Sequence, residues 1–105
     1  MIRHWAVDLV TDTPVNLETA LGADDSHLTI RRAWFKLGHA VTNPCYLGSV
    51  VDGPVSATNH GIHLDEPGSP TDYYVVHEMP GPFMLSELQV LGTTGDTLFI
   101  LALLA

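Results

Sequence analysis

Residues 85–105 constrain this chain more than any other stretch. Met84, Leu88 and Val90 share one parity, with Glu87 and Gln89 on the other. Successive side chains of extended backbone point to opposite sides, so a period of two predicts a strand with one buried and one wet face. Gly92-Thr93-Thr94-Gly95-Asp96 follows, two glycines around small polar residues, which is turn chemistry. Then Leu98, Phe99, Ile100, Leu101, Ala102, Leu103 and Leu104 are apolar on both parities. A strand of that kind expects cover on both faces. The two strands together predict a closing hairpin. The outer face of the second predicts another subunit.

The rest of the chain reads as further short strands. Trp5, Val7 and Leu9 alternate with His4, Ala6 and Asp8, which predicts a strand over 3–10. Val15 and Leu17 mark a short second strand. Glu18-Thr19-Ala20-Leu21 fits a single helical turn stopped at Gly22, and Ala23-Asp24-Asp25-Ser26 fits a loop. A third strand is expected over 27–36. Its alternation slips at Arg31-Arg32, because Arg32 falls on the parity of Leu28, Ile30 and Trp34. Either a bulge restores the faces there, or Arg32 points inward to meet an acid. Asn43-Pro44 turns into a short strand at Cys45-Tyr46-Leu47, ended by Gly48. Residues 49–70 are loop-like, with strand character at Ile62 and Leu64. Tyr73-Tyr74-Val75-Val76-His77 is strongly β-forming, and Pro80-Gly81-Pro82 is expected to break it.

Seven or eight short strands and no long helix predict one all-β domain over residues 1–105: an antiparallel β-sandwich, a jelly roll or a small barrel. Within it, residues 1–22 are read either as the first strand or as a partner-binding arm anchored by Arg3 and Trp5. Composition adds a constraint on assembly. Hydrophobic residues make up 46% of the chain and charged residues 15%, against about 25% charged in ordinary soluble domains. A domain this small has limited interior to hide that much apolar surface. Association with copies or a permanent partner is the expected outlet, with Phe99, Leu101 and Leu103 at the interface.

The net charge is −8, and all four basic residues, Arg3, Arg31, Arg32 and Lys36, precede residue 37. Such an acid surplus repels phosphate backbones and anionic membranes, so neither nucleic acid nor membrane is an expected partner. The first residues lack the apolar core of a signal peptide, and the apolar run from Leu98 is far shorter than the roughly 20 residues a membrane helix needs. Cys45 is the single cysteine. No internal disulfide is possible, which fits a reducing compartment or a fold that does not rely on crosslinks.

One set of residues has metal-ligating chemistry: His60, His63 and Glu66, with His77 further on. Imidazoles and a carboxylate suit zinc, iron or nickel. On a strand, a spacing of three puts His60 and His63 on opposite faces, so one metal would need a loop to bring them together. A cupin-like site is therefore the minor reading, and solvated loop side chains the major one. No cofactor is expected. The six histidines would change the net charge in mildly acid solution, which gives assembly a route to pH sensitivity, against a plainer reading as scattered surface imidazoles. Cys45 lacks an activating neighbourhood, and apolar surroundings raise a thiol's pKa. No serine stands in a nucleophile-elbow context and no glycine-rich phosphate loop is present. No catalytic residue is assigned.

A resemblance supplies what residue chemistry does not. Asn43-Pro44-Cys45-Tyr46-Leu47-Gly48, then Val55, Asn59, Gly61, Ile62, Leu64 and Gly68, then Leu85-Ser86-Glu87-Leu88, Val90, Gly92, Gly95 and Asp96 before an apolar end, follow one spacing. Over residues 27–105 this arrangement resembles the small β-rich virion proteins of tailed bacteriophages. His60 within the Asn-Gly turn and the strongly apolar C-terminus depart from it. The resemblance implies a structural protein: a head decoration (cement) protein on the capsid exterior, often a homotrimer, binding the major capsid protein. A tail or fibre-attachment component is the alternative role.

Overall fold

The structure, a computed structural model, describes residues 1–38, 43–65 and 76–105. Glu66, Gly68 and residues 73–75 of the expected strand lie outside them. Eight strands are described: β1 (Ile2–Asp8), β2 (Val15–Asn16), β3 (Ile30–Leu37), β4 (Cys45–Ser49), β5 (Ile62–Leu64), β6 (His77–Phe83), β7 (Leu88–Leu91) and β8 (Thr97–Leu104). They form two four-stranded sheets, sheet I in the order β1-β8-β3-β6 and sheet II in the order β2-β7-β4-β5. The chain is an all-β antiparallel sandwich, as its alternation predicts.

The pairing runs from the chain ends inward: β1 with β8, β2 with β7, β3 with β6, β4 with β5, all antiparallel. A ribbon of paired strands rolled up so that successive pairs fall in opposite sheets is a jelly roll. This corrects the expected closing hairpin. β7 pairs with β2 and β4, whereas β8 pairs with β1 and β3. The glycine-containing turn between them carries the chain from one sheet to the other. It is fastened to the β1 end: Thr11 N donates to Thr94 Oγ1 at 2.9 Å, and Thr94 N to Thr11 Oγ1 at 2.8 Å.

The core lies between the sheets. Val7, Leu9, Ile30, Ala33, Phe35 and Leu37 meet Cys45, Leu47, Leu64 and Val90, with Leu98, Ile100 and Ala102 along β8. Leu17 and Leu85 close one end; they belong to a helical turn, α1 (Leu17–Leu21), and a 3-10 turn at Leu85–Glu87. Gly22 stops α1, with its N–H on Glu18 O. The acidic segment after it is a second helical turn, α2 (Ala23–Ser26), rather than a loop.

The slip at Arg31-Arg32 is a bulge: the register of β3 shifts between Ile30 and Arg32 against both β6 and β8. Ile30 and Ala33 are both buried, and the two arginines between them are exposed. Arg32 pairs with Glu78 on β6. Pro80-Gly81-Pro82 does not end the strand as expected, but runs inside β6. Prolines are tolerated there because β6 is an edge strand, where a missing N–H need not break a ladder.

Gln89 is also misplaced by parity alone. It is buried: its Oε1 accepts from Val55 N at 2.7 Å and its Nε2 donates to Asn16 Oδ1 at 3.1 Å. The amide satisfies a buried backbone N–H that would otherwise be orphaned.

Candidate functional site

The outer face of sheet I is the candidate site. On β8 the inward residues are Leu98, Ile100 and Ala102, so Phe99, Leu101 and Leu103 point away from the core. β8 is an interior strand of its sheet, which places this row mid-face. The register sets His4 of β1 and Trp34 of β3 on either side of Leu101, and Lys36 beside Phe99. Phe99, Leu101, His4, Trp34 and Lys36 line an apolar hollow of about 420 Å³ together with Trp5 and Val76. Phe99 and Leu101 remain 41% and 43% exposed, and Ile2 at the margin 67%. Contiguous exposed apolar surface with a charged rim is the usual mark of a surface that meets a partner.

The bulge explains why Trp34 belongs here. One extra residue between Ile30 and Ala33 returns Ala33 and Phe35 to the core and turns Arg32, Trp34 and Lys36 outward. Without it Trp34 reads as an inward residue. Val76 is the other member that residue patterning missed, because its expected strand gave no register against β3.

Phe99, Leu101 and Leu103 thus share the outward side of β8, and Trp5 reaches the same hollow from β1, whereas Arg3 is not among its lining residues. Arg3 and Trp5 both meet Asp25. Trp5 Nε1 donates to Asp25 Oδ2 at 3.1 Å, and Arg3 Nη2 lies 3.2 Å from Asp25 Oδ1. The guanidinium sits 5.5 Å from the Trp5 ring centroid. Asp25 of α2 thereby ties the helical turns to β1, and residues 2–8 are held in the sheet by β8.

The histidines are arranged differently from the strand-based expectation. His60 lies in the turn before β5, and His63 lies on β5 opposite Tyr46. Gly61 N donates to Leu47 O at 2.8 Å, which folds the turn back on β4. Both imidazoles therefore flank the Tyr46 ring, with centroids 4.8 and 4.9 Å away, and lie 5.9 Å from each other. His60 Nδ1 is 3.0 Å from Ser56 O, and His63 Nε2 is 3.4 Å from Asp65 Oδ1. His77 begins β6 in the other sheet, opposite Phe35. Among the described residues, no three His, Cys, Asp or Glu side chains gather as a metal-binding group.

Cys45 is fully buried on β4, and burial, helped by the nearby Asp96 carboxylate, pushes its thiol pKa up to about 12. The thiolate is the nucleophile, so the folded protein at pH 8 is expected to resist iodoacetamide, whereas the chain in denaturant is alkylated at once. Rapid labelling of the native protein, followed by mass spectrometry, would contradict this burial. Burial also raises the carboxyl pKa of Asp96, whose Oδ2 has no hydrogen-bond partner among the described residues.

In comparisons with known protein families, curated proteins and solved structures, nothing matches this chain.

Proposed function

We propose that the protein is a virion structural component of the tailed-phage type, a head decoration protein that self-associates and docks on the major capsid protein at the outside of the shell. The observation that carries this reading is the apolar outer face of sheet I, with Phe99 and Leu101 open at its centre. A surface of that kind buries hydrophobic area on association at roughly 25 cal/mol per Å². All four basic residues lie on the two strands flanking β8 or at their margin, Arg3 on β1 and Arg31, Arg32 and Lys36 on β3. Of these, Lys36 lines the hollow itself, where an acidic group on the partner complements it. Viral capsid proteins include jelly rolls, although the fold by itself assigns no function. The resemblance of residues 27–105 to phage virion proteins supplies the location, and favours three copies per assembly.

The test uses the full chain and an F99K/L101K variant with purified, undecorated tailed-phage shells. Wild type is expected to co-sediment with shells, and the variant to bind at least tenfold more weakly. Both positions are substantially exposed, so the variant's melting temperature is expected to stay within a few degrees of wild type. Equal binding by the two proteins, or no binding of wild type to any shell, removes the reading. Density for the chain on tails rather than heads of intact particles would move it to the attachment role.

A further inference from the structure

We infer that the edge of β1 that pairs with no other strand among the described residues is a pairing edge for β1 of a second copy, antiparallel, with the twofold axis at Ala6. This rests on the self-association part of the reading above, and not on its virion location or its three copies. Unpaired strand edges invite pairing with other chains, and proteins guard them. Among the described residues, three of the four sheet edges are guarded. β2 and β5 are two and three residues long, and β6 carries Pro80 and Pro82. β1 is seven residues long and contains no proline.

Its free hydrogen-bonding groups follow from the ladder. Leu104 N donates to Met1 O at 2.8 Å, and Leu9 N to Asp96 O at 3.0 Å. Both bonds involve odd-numbered residues of this segment. Antiparallel ladders alternate bonded and non-bonded pairs. The N–H and C=O groups of His4, Ala6 and Asp8 therefore point away from β8, into the open edge. The side chains of Ile2, His4, Ala6, Asp8 and Val10 are all exposed. Neither His4 nor Asp8 has a side-chain hydrogen bond or ion pair among the described residues.

Read along the strand, these exposed residues run apolar, basic, small, acidic, apolar. That order complements its own reverse. With Ala6 opposite Ala6, His4 faces Asp8 twice, and Ile2 comes level with Val10, two residues past the end of the partner's β1. On the other side of the strand Trp5 faces Val7, an aromatic and β-branched pair that suits neighbouring strands. Other registers are poorer. Placing His4 on the axis opposes two imidazoles, and placing Asp8 there opposes two carboxylates. With Trp5 on the axis, Asp8 faces Ile2 and His4 faces Ala6, so neither charge finds a partner. A slip by one residue would turn the apolar face of one copy the wrong way. The contact is isologous, as a twofold dimer requires. It also joins both copies' sheet I into one continuous sheet, with the two apolar hollows on the same side.

Sedimentation equilibrium on the full chain and three charge variants tests this. H4D sets two carboxylates opposite one another at both symmetric positions, and D8K removes the carboxylate that the imidazole meets; each is expected to weaken dimerisation about tenfold. H4D/D8K places a carboxylate opposite an ammonium group at both positions, and is expected to return within about threefold of wild type. In wild type, amide hydrogen exchange at His4, Ala6 and Asp8 is expected to slow as concentration rises; this readout needs no variant to fold. A double variant as weak as the singles, or edge amides that stay unprotected in the assembled protein, overturns the inference while leaving self-association through the outer face intact. A wild-type chain that sediments as one copy at every concentration overturns both.

Discussion

Phe35→Ala is expected to destabilise the fold by about 3–5 kcal/mol, the range for removing a fully buried phenylalanine. Phe35 is the largest side chain completely enclosed between the sheets. It stands on β3, opposite Ile100 of β8 on one side and His77 of β6 on the other. The loss has two parts: the transfer of the ring's apolar surface and the hole left where it was. The hole matters here because two sheets facing each other cannot close over it without moving whole strands. A domain of this length has a total stability of about 5–15 kcal/mol. One substitution therefore removes a large fraction of it, and the variant is expected to melt far below wild type. Leu101→Ala is the matching control. Leu101 lies on the adjacent strand but faces outward, 43% exposed, so its truncation is expected to cost about 1 kcal/mol or less. Urea unfolding of both variants, followed by tryptophan fluorescence, separates the two. Similar midpoints for Phe35→Ala and Leu101→Ala would mean that the sheets do not stack over this ring.

That contrast between neighbouring strands shows what residue order carries and what it leaves out. Alternation along β1 and β8 is a local property, so the inward residues Val7, Leu98, Ile100 and Ala102 are legible without a structure. The slip at Arg31-Arg32 is legible too, but only the register of β3 decides for a bulge over an inward Arg32. Partnership is not local. β7 and β8 are joined by a turn that looks like a hairpin's, yet they lie in different sheets. Nothing in the turn says whether the chain folds back beside itself or crosses to the facing layer; the ladder to β4 and β1 decides it. Gln89 fails for a related reason. Its parity predicts solvent, but the Val55 N–H that it satisfies comes from a distant loop. The same limit hid the pairing of His60 and His63 around Tyr46, since the spacing rule holds on a strand and His60 lies in a turn. In the candidate site, Phe99 and Leu101 were readable from one strand, whereas Trp34 and Val76 needed the register of three.

Gly81→Ala is expected to cost about 3 kcal/mol, the upper part of the range for forcing extra atoms into a filled site. A Cβ built on Gly81 lies 2.1 Å from Ile30 O and 3.0 Å from Arg31 O. Both obstacles are backbone atoms of the β3 bulge, so no side-chain rotation relieves the contact. Relief requires β6 to move off β3, which opens the pairing of Ile30 with Phe83 and of Arg32 with Pro80. The Arg32–Glu78 ion pair spans the same strands; being exposed, it returns little of the loss. The physical logic runs back to the bulge. Two residues of β3 crowd toward β6 where a regular strand has one, and only a residue without a side chain fits against them. Gly95→Ala is the informative comparison. Gly95 has φ of +96° but open space around its Cβ position, so its cost comes from backbone conformation alone, about 1 kcal/mol. Urea midpoints rank the two. Hydrogen exchange locates the damage: faster exchange along β3 and β6 with β1 and β8 unchanged is the expected signature for Gly81→Ala. A Gly81→Ala protein with a wild-type midpoint would show that β6 does not approach the bulge this closely, and the bulge would lose its part in setting the outer face of sheet I.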